Sequence, residues 1–244
     1  MATKQDISQN LLPEHFFHIY NRGINGQVIF FTEENYRYFL QKYAEKTKAY
    51  IDTYAYCLIF NHFHILVRIK SAEEIFAAAQ EDYTVIPKPL QKELAINGFS
   101  GTTEDFQSMI FLANHPDTEV RNYVAAWLVS NQLRRLFLGY VKAVNKSQNR
   151  HGSLLQKPFK RKSVAGEVHL RNLIGYIHRN PLHHKIQENF REYPHSSYSS
   201  HLSLKSTLLK RSEVLNYFDG RSGFIAFHEE GARNWKERQK YVIE

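Results

Sequence analysis

The chain has 244 residues, 43% of them hydrophobic and 14% aromatic, so it can bury a core of its own and is neither disordered nor low-complexity. Its net charge of +8 favours a polyanionic partner. The single Cys57 excludes an internal disulfide and a cysteine-based metal centre. No apolar run reaches membrane-spanning length, and Met1-Ala2-Thr3-Lys4-Gln5-Asp6 lacks the apolar centre of a signal peptide, so a cytoplasmic protein without membrane contact is expected.

Residues 1–12 read as a polar lead-in. His15-Phe16-Phe17-His18-Ile19-Tyr20-Asn21 is a first strand, ended by Arg22-Gly23, with Gly23 and Gly26 marking a turn. From Thr32 as N-cap, Tyr36, Phe39, Leu40 and Tyr43 recur at helical spacing over Glu33 to Tyr50. Ile51 to Phe60 is rich in strand formers, and Asn61 suits a tight connection into a third strand reaching Ile69. In that strand Phe63, Ile65, Val67 and Ile69 share one face, and His62, His64, Leu66 and Arg68 the other. Two imidazoles at i and i+2 on a rigid strand are close enough to hold one divalent cation, although such a pair also arises without a metal in a chain with 13 His.

Residues 71–118 are broken by Pro87, Pro89, Gly98-Phe99-Ser100-Gly101 and Pro116, and read as an insertion of short helices and loops. A long helix from about Thr118 to Val144 carries an apolar stripe through Val120, Tyr123, Val124, Trp127, Leu133, Phe137 and Tyr140. Between Glu119 and Glu167 there is no carboxylate, while ten Lys and Arg residues fall there, Arg150, Lys157, Lys160, Arg161 and Lys162 among them. A solvated helix face mixes signs, so this block, interleaved with Tyr140, His151 and Phe159, reads as a nucleic-acid surface. A strand around Pro158 to Val164 precedes a helix from Glu167 to Asn180, stopped by Pro181. The order strand, helix, two strands, helix, strand predicts an α+β fold. It is that of a ferredoxin-like (RRM-like) antiparallel sheet with helices on one face and an open face carrying His62 and His64. On the last helix Tyr176 and Asn180, four apart, project together beside the buried stripe of Leu170, Leu173, Ile174 and Ile177.

These segments carry a resemblance. Asn61-His62-Phe63-His64-Ile65-Leu66-Val67 resembles the HUH motif of single-tyrosine transposases, and Tyr176-Ile177-His178-Arg179-Asn180-Pro181 resembles the Tyr-Ile-x-x-Asn-Pro segment of REP-associated tyrosine transposases. Phe17-His18-Ile19-Tyr20-Asn21-Arg22-Gly23, Asn149-Arg150-His151-Gly152-Ser153-Leu154 and Phe159-Lys160-Arg161-Lys162 resemble further stretches of that family. Tyr193-Pro194-His195-Ser196-Ser197-Tyr198 does so too, with His195 where Trp is usual. The resemblance implies a transposase domain over 13–190, with 71–118 inserted and 191–244 as a C-terminal extension. It implies Tyr176 as nucleophile and His62, His64 and Asn180 as ligands of Mg²⁺ or Mn²⁺. Single-stranded or hairpin DNA would be cut and rejoined through a 5′-phosphotyrosine, by a monomer or by a homodimer donating the tyrosine in trans. Arg22, Arg150, Lys157, Lys160, Arg161 and Lys162 are the candidate DNA contacts. A phenol suits the reaction because its phenolate is both a usable nucleophile and a better leaving group than an alkoxide.

Two other readings fit parts of the pattern. A non-catalytic RRM-like module would bind single strands through stacked aromatics and a basic rim, leaving His62, His64, Tyr176 and Asn180 unexplained together. A metal-dependent hydrolase using His62, His64 and His178 or His183 would turn over without a covalent protein–DNA adduct.

Overall fold

The computed structural model describes residues 9–83, 85–97, 99 and 108–240, with side chains through Trp235. Residues 1–8 of the lead-in, Gly98, Ser100 and Gly101, and the last four residues of the C-terminal extension lie outside the described residues. In chain order, β1 (Phe16–Arg22) leads through α1 (Glu33–Thr47) to β2 (Ile51–Ile59) and β3 (His62–Ile69). Three short helices follow, α2 (Ala72–Asp82), α3 (Lys88–Ile96) and α4 (Met109–Ala113), then the long α5 (Thr118–Ser147). After β4 (Lys160–Val164) come α6 (Glu167–His178) and α7 (Asn180–His183), then α8 (Tyr198–Leu202), α9 (Arg211–Asn216) and α10 (Arg221–Lys240). The four strands form one antiparallel sheet in the order β2-β3-β1-β4, the α+β, ferredoxin-like arrangement. No described helix is long and apolar enough to cross a membrane.

Side-chain alternation sorts the sheet into two faces. Phe17 and Ile19 of β1 and Phe63, Ile65, Val67 and Ile69 of β3 are buried in one core with Phe39 of α1 and Leu128, Leu133 and Phe137 of α5. The 71–118 segment extends that core: Ile75, Phe76, Leu90, Leu94, Met109 and Leu112 are buried in it with Val120 and Val124. Asn61 lies in the two-residue turn that pairs Ile59 with His62. Gly23 is held small by the turn after β1, since a Cβ there would fall 2.1 Å from the Gln27 carbonyl oxygen.

The opposite face is not open. A bulge between Thr53 and Ala55 shifts the register of β2 by one residue. Beyond it Ala55, Cys57 and Ile59 stand opposite Leu66, His64 and His62. Those apolar side chains are buried with Leu170, Leu173, Ile174 and Ile177 of α6, and with Tyr193, Tyr198, Val214, Phe218 and Phe224 of the C-terminal stretch. A second core therefore covers β2 and β3 where the sequence pattern suggested bare sheet. Its polar seam is a directed chain. His228 Nδ1 donates to the Phe224 carbonyl, which leaves Nε2 to accept from His178 Nδ1 at 2.9 Å, and His178 Nε2 accepts from Ser197 Oγ at 2.7 Å. His195, where the resembled family has Trp, stacks on Tyr36 at 3.6 Å and 6° and bonds Glu33.

The tyrosine helix ends earlier than expected. Pro181 has no N–H for the Ile177 carbonyl and its ring crowds that turn, so the chain leaves the helix after His178 and restarts as α7 at Asn180. Tyr176 and Asn180 are consequently not on one helix flank: Tyr176 is 37% exposed and Asn180 fully buried.

Candidate active site

Register places the site. His62 pairs with Arg22 and His64 with Tyr20, so these four share a sheet face with His18, Lys160 and Lys162, the last two from the edge strand β4. His62 and His64 are 8% and 9% exposed, their rings 5.2 Å apart and nearly perpendicular. Tyr176 of α6 stands over this pair with its ring 5.5 Å from His64 and 5.6 Å from His183. Asn180, at the start of α7, turns its side chain back to His62. His184 lies 4.5 Å from His62, centroid to centroid, on the exposed side.

The hydrogen bonds assign the His62 protons. Asn61 Nδ2 donates to the Gly26 carbonyl, so Asn61 Oδ1 faces His62 Nδ1 at 2.7 Å and takes its proton. Burial pushes the His62 pKa down to about 4, with smaller lowering by His184 and Arg22 against a raising contact from Asn180. The ring is thus neutral at pH 7, with a lone pair on Nε2. That atom faces Asn180 Oδ1 at 2.9 Å, and Asn180 Nδ2 is buried without a partner. Two lone-pair atoms at this separation match neighbouring ligands of one octahedral cation, which lie about 3 Å apart when each bond is about 2.1 Å. His64 shares a hydrogen bond at 2.8 Å between its Nδ1 and His18 Nε2, which leaves Nε2 for a ligand. Burial, with His18 and His62 nearby, holds His64 well below the usual histidine pKa. Among the described residues no three His, Cys, Asp or Glu side chains form a metal-binding group. The donor atoms that face one another here are two neutral imidazoles and an amide oxygen, a set that could hold a divalent cation and leave other coordination positions open.

The basic residues divide. Arg22 and Lys162 are exposed on the site face, and Lys160 lies over the Tyr20 ring at 5.9 Å. Arg161 does not join them: alternation turns it to the opposite face, where its guanidinium sits 4.4 Å over Phe159 and donates to Ser130 Oγ. Lys157 is exposed at the same cavity as Arg161, and Arg150 is occupied by Gln27 at the end of α5. His178 belongs to the second core and not to the His62 site, which removes it as a co-ligand.

The sequence reading assigns no role to His18, Tyr20 or His184. The two β1 residues alternate with the buried Phe17 and Ile19, but which strand lies beside β1 has no local signature.

No family model matches the chain, and no curated protein matches it. Among solved structures it is similar to the REP-associated tyrosine transposase bound to a REP hairpin, at 10% identity and a TM-score of 0.47, over 83% of this chain and 86% of that one. This is a likeness of overall fold, at a distance where residue roles do not transfer.

Proposed function

We propose that the protein is a metal-dependent single-strand DNA nuclease and strand transferase of the HUH single-tyrosine transposase type, acting on single-stranded or hairpin DNA. The observation that carries this reading is the meeting of Tyr176, His62, His64 and Asn180, from three separate segments, on one face of the sheet. In the reaction, the Tyr176 oxygen attacks a backbone phosphorus, a Tyr–O–P bond forms and the P–O3′ bond breaks. The products are a 5′-phosphotyrosine and a 3′-hydroxyl that can reverse the step on another end. His62, His64 and Asn180 would hold Mg²⁺ or Mn²⁺, which supplies neutralisation of phosphate charge and orientation for in-line attack. Asn61 and His18 orient the two imidazoles through their Nδ1 atoms. Burial and Arg179 push the His183 pKa down to about 4, so this ring beside Tyr176 is uncharged at neutral pH and only a weak base; the phenolic proton leaves to water and the 3′ oxygen takes one up from water. Arg22, Lys160 and Lys162 would hold the strand at the rim. Tyr176 lies beside the His pair of its own chain, which favours action in cis. The RRM-like alternative loses its platform, since the second core covers β2 and β3.

The test is incubation with hairpin-bearing single-stranded DNA and Mn²⁺, followed by peptide mapping of the SDS-resistant adduct. DNA should be attached to Tyr176, and Tyr176→Phe should form no adduct while keeping its DNA affinity and melting temperature. Attachment at Tyr193 or Tyr198, or full cutting by Tyr176→Phe, would refute the assignment.

A further inference from the structure

On the face of the sheet opposite the His pair, α5 and the 152–161 segment enclose an open cavity of about 1110 Å³. Trp127 and Tyr123 of α5 line it together with Phe159, and its cations are Arg134, Arg161 and Lys157. Arg161 is the unusual member. Its Nη1 donates to Ser130 Oγ at 2.7 Å and its plane rests on Phe159, but among the described residues its buried Nε has no hydrogen-bond partner and no carboxylate pairs with the guanidinium. Burial pushes its pKa down to about 10. A largely buried cation without a counter-charge is costly, and an anion entering the cavity would relieve that cost. Glu93 is the one carboxylate among the described lining residues, and it is engaged by the Tyr123 hydroxyl at 3.0 Å.

The position of Arg161 connects the cavity to the active-site face. β4 is the edge of the sheet, and its alternation sends Lys160 and Lys162 to the His62/His64 side and Arg161 to the cavity side. A polyanion passing around this edge meets cations on both faces, and an aromatic lining that lies off the catalytic centre. We propose that a single DNA strand wraps around the β4 edge and seats one nucleotide in the Trp127 cavity, phosphate on Arg161 and base against the aromatic lining. This rests on the reading of the protein as acting on single-stranded DNA, and adds a second contact site across the sheet from the cleavage centre. Stacking on an aromatic ring tolerates any base, so the site would supply affinity and position but little sequence preference.

The chain has two Trp, so Trp235→Phe leaves Trp127 as the only indole emitter. In that background, an unstructured 15-nucleotide strand carrying a fluorophore would be titrated by anisotropy, and the unlabelled strand by Trp127 emission. The expected result is quenching of Trp127 with the same midpoint as the anisotropy change. Arg161→Met should weaken binding about tenfold or more and flatten the dependence of log K on log salt by about 0.7, with an unchanged or higher melting temperature. Strand binding that leaves Trp127 emission unaltered, or Arg161→Met binding like its parent, overturns the cavity assignment and leaves the nuclease reading standing. Quenching by thymidine monophosphate with the midpoint of the strand overturns the wrapped path in favour of a free-nucleotide site. If no strand binds at all, both readings fail.

Discussion

His201 offers a measurable link between the C-terminal stretch and pH. It sits on α8 at 1% exposure, its ring 5.5 Å from His178 and 5.7 Å from Phe224, with neither nitrogen in a well-formed hydrogen bond. Burial pushes its pKa down to about 4, against a raising contribution from the Tyr54 backbone and with a further lowering by Arg211. The folded-state value lies below the unfolded one of about 6.5, so the fold favours the neutral ring. Its contribution to stability is therefore complete above pH 6.5 and is lost as pH falls from there toward 4. At pH 5 the unfolded chain is about 1.5 pH units below its pKa while the folded ring is still mostly neutral, which corresponds to about 2 kcal/mol. His201→Leu has similar volume and cannot bind that proton. Urea denaturation of both proteins at pH 7 and pH 5 should show a wild-type loss of stability about 2 kcal/mol larger than the variant's. Equal losses in the two proteins would refute the reasoning, because they would mean that His201 is hydrated or already charged at pH 7.

Three further outcomes are expected. Phe63→Ala empties a fully buried position between Phe39 and Phe137, at 5.1 and 5.4 Å, and should cost about 3–5 kcal/mol in urea denaturation; a loss under about 1 kcal/mol would contradict the packing. His62→Ala and His64→Ala should each abolish Mn²⁺ binding in calorimetric titration and adduct formation, with an unchanged circular dichroism spectrum; retained Mn²⁺ binding in both would place the cation elsewhere. Replacing Lys160 and Lys162 with Ala removes two cations from the site rim and should flatten the salt dependence of single-strand binding by about 1.4, twice the slope expected per phosphate contact. An unchanged slope would make these residues solvated surface only.

What was legible in the sequence was local. The period-two pattern of β3 assigns Phe63 to a core and both His to the other face, because successive side chains of a strand must point oppositely wherever it lies. The same rule, applied to β4, separates Arg161 from Lys160 and Lys162, a division that the density of charge along the chain obscured. The helical stripe of α6 and the breaking effect of Pro181 are local too, although the missing N–H ends the helix at His178 and leaves Asn180 free to turn toward His62. What only the tertiary structure decided are pairings across long stretches of chain. His18 meets His64, 46 residues away, because β1 lies between β3 and β4. Nothing in the β1 residues encodes that neighbour, since strand order is set by the crossover helices packing on the sheet. The covered second face depends on the β2 bulge, where one extra residue turns Ala55, Cys57 and Ile59 toward α6, and on the His178–His228 bond that ties α6 to α10. A bulge reverses the facing of every residue beyond it, so which side of the sheet Ala55, Cys57 and Ile59 occupy is fixed by their pairing with β3 and is not readable from the alternation of β2 alone.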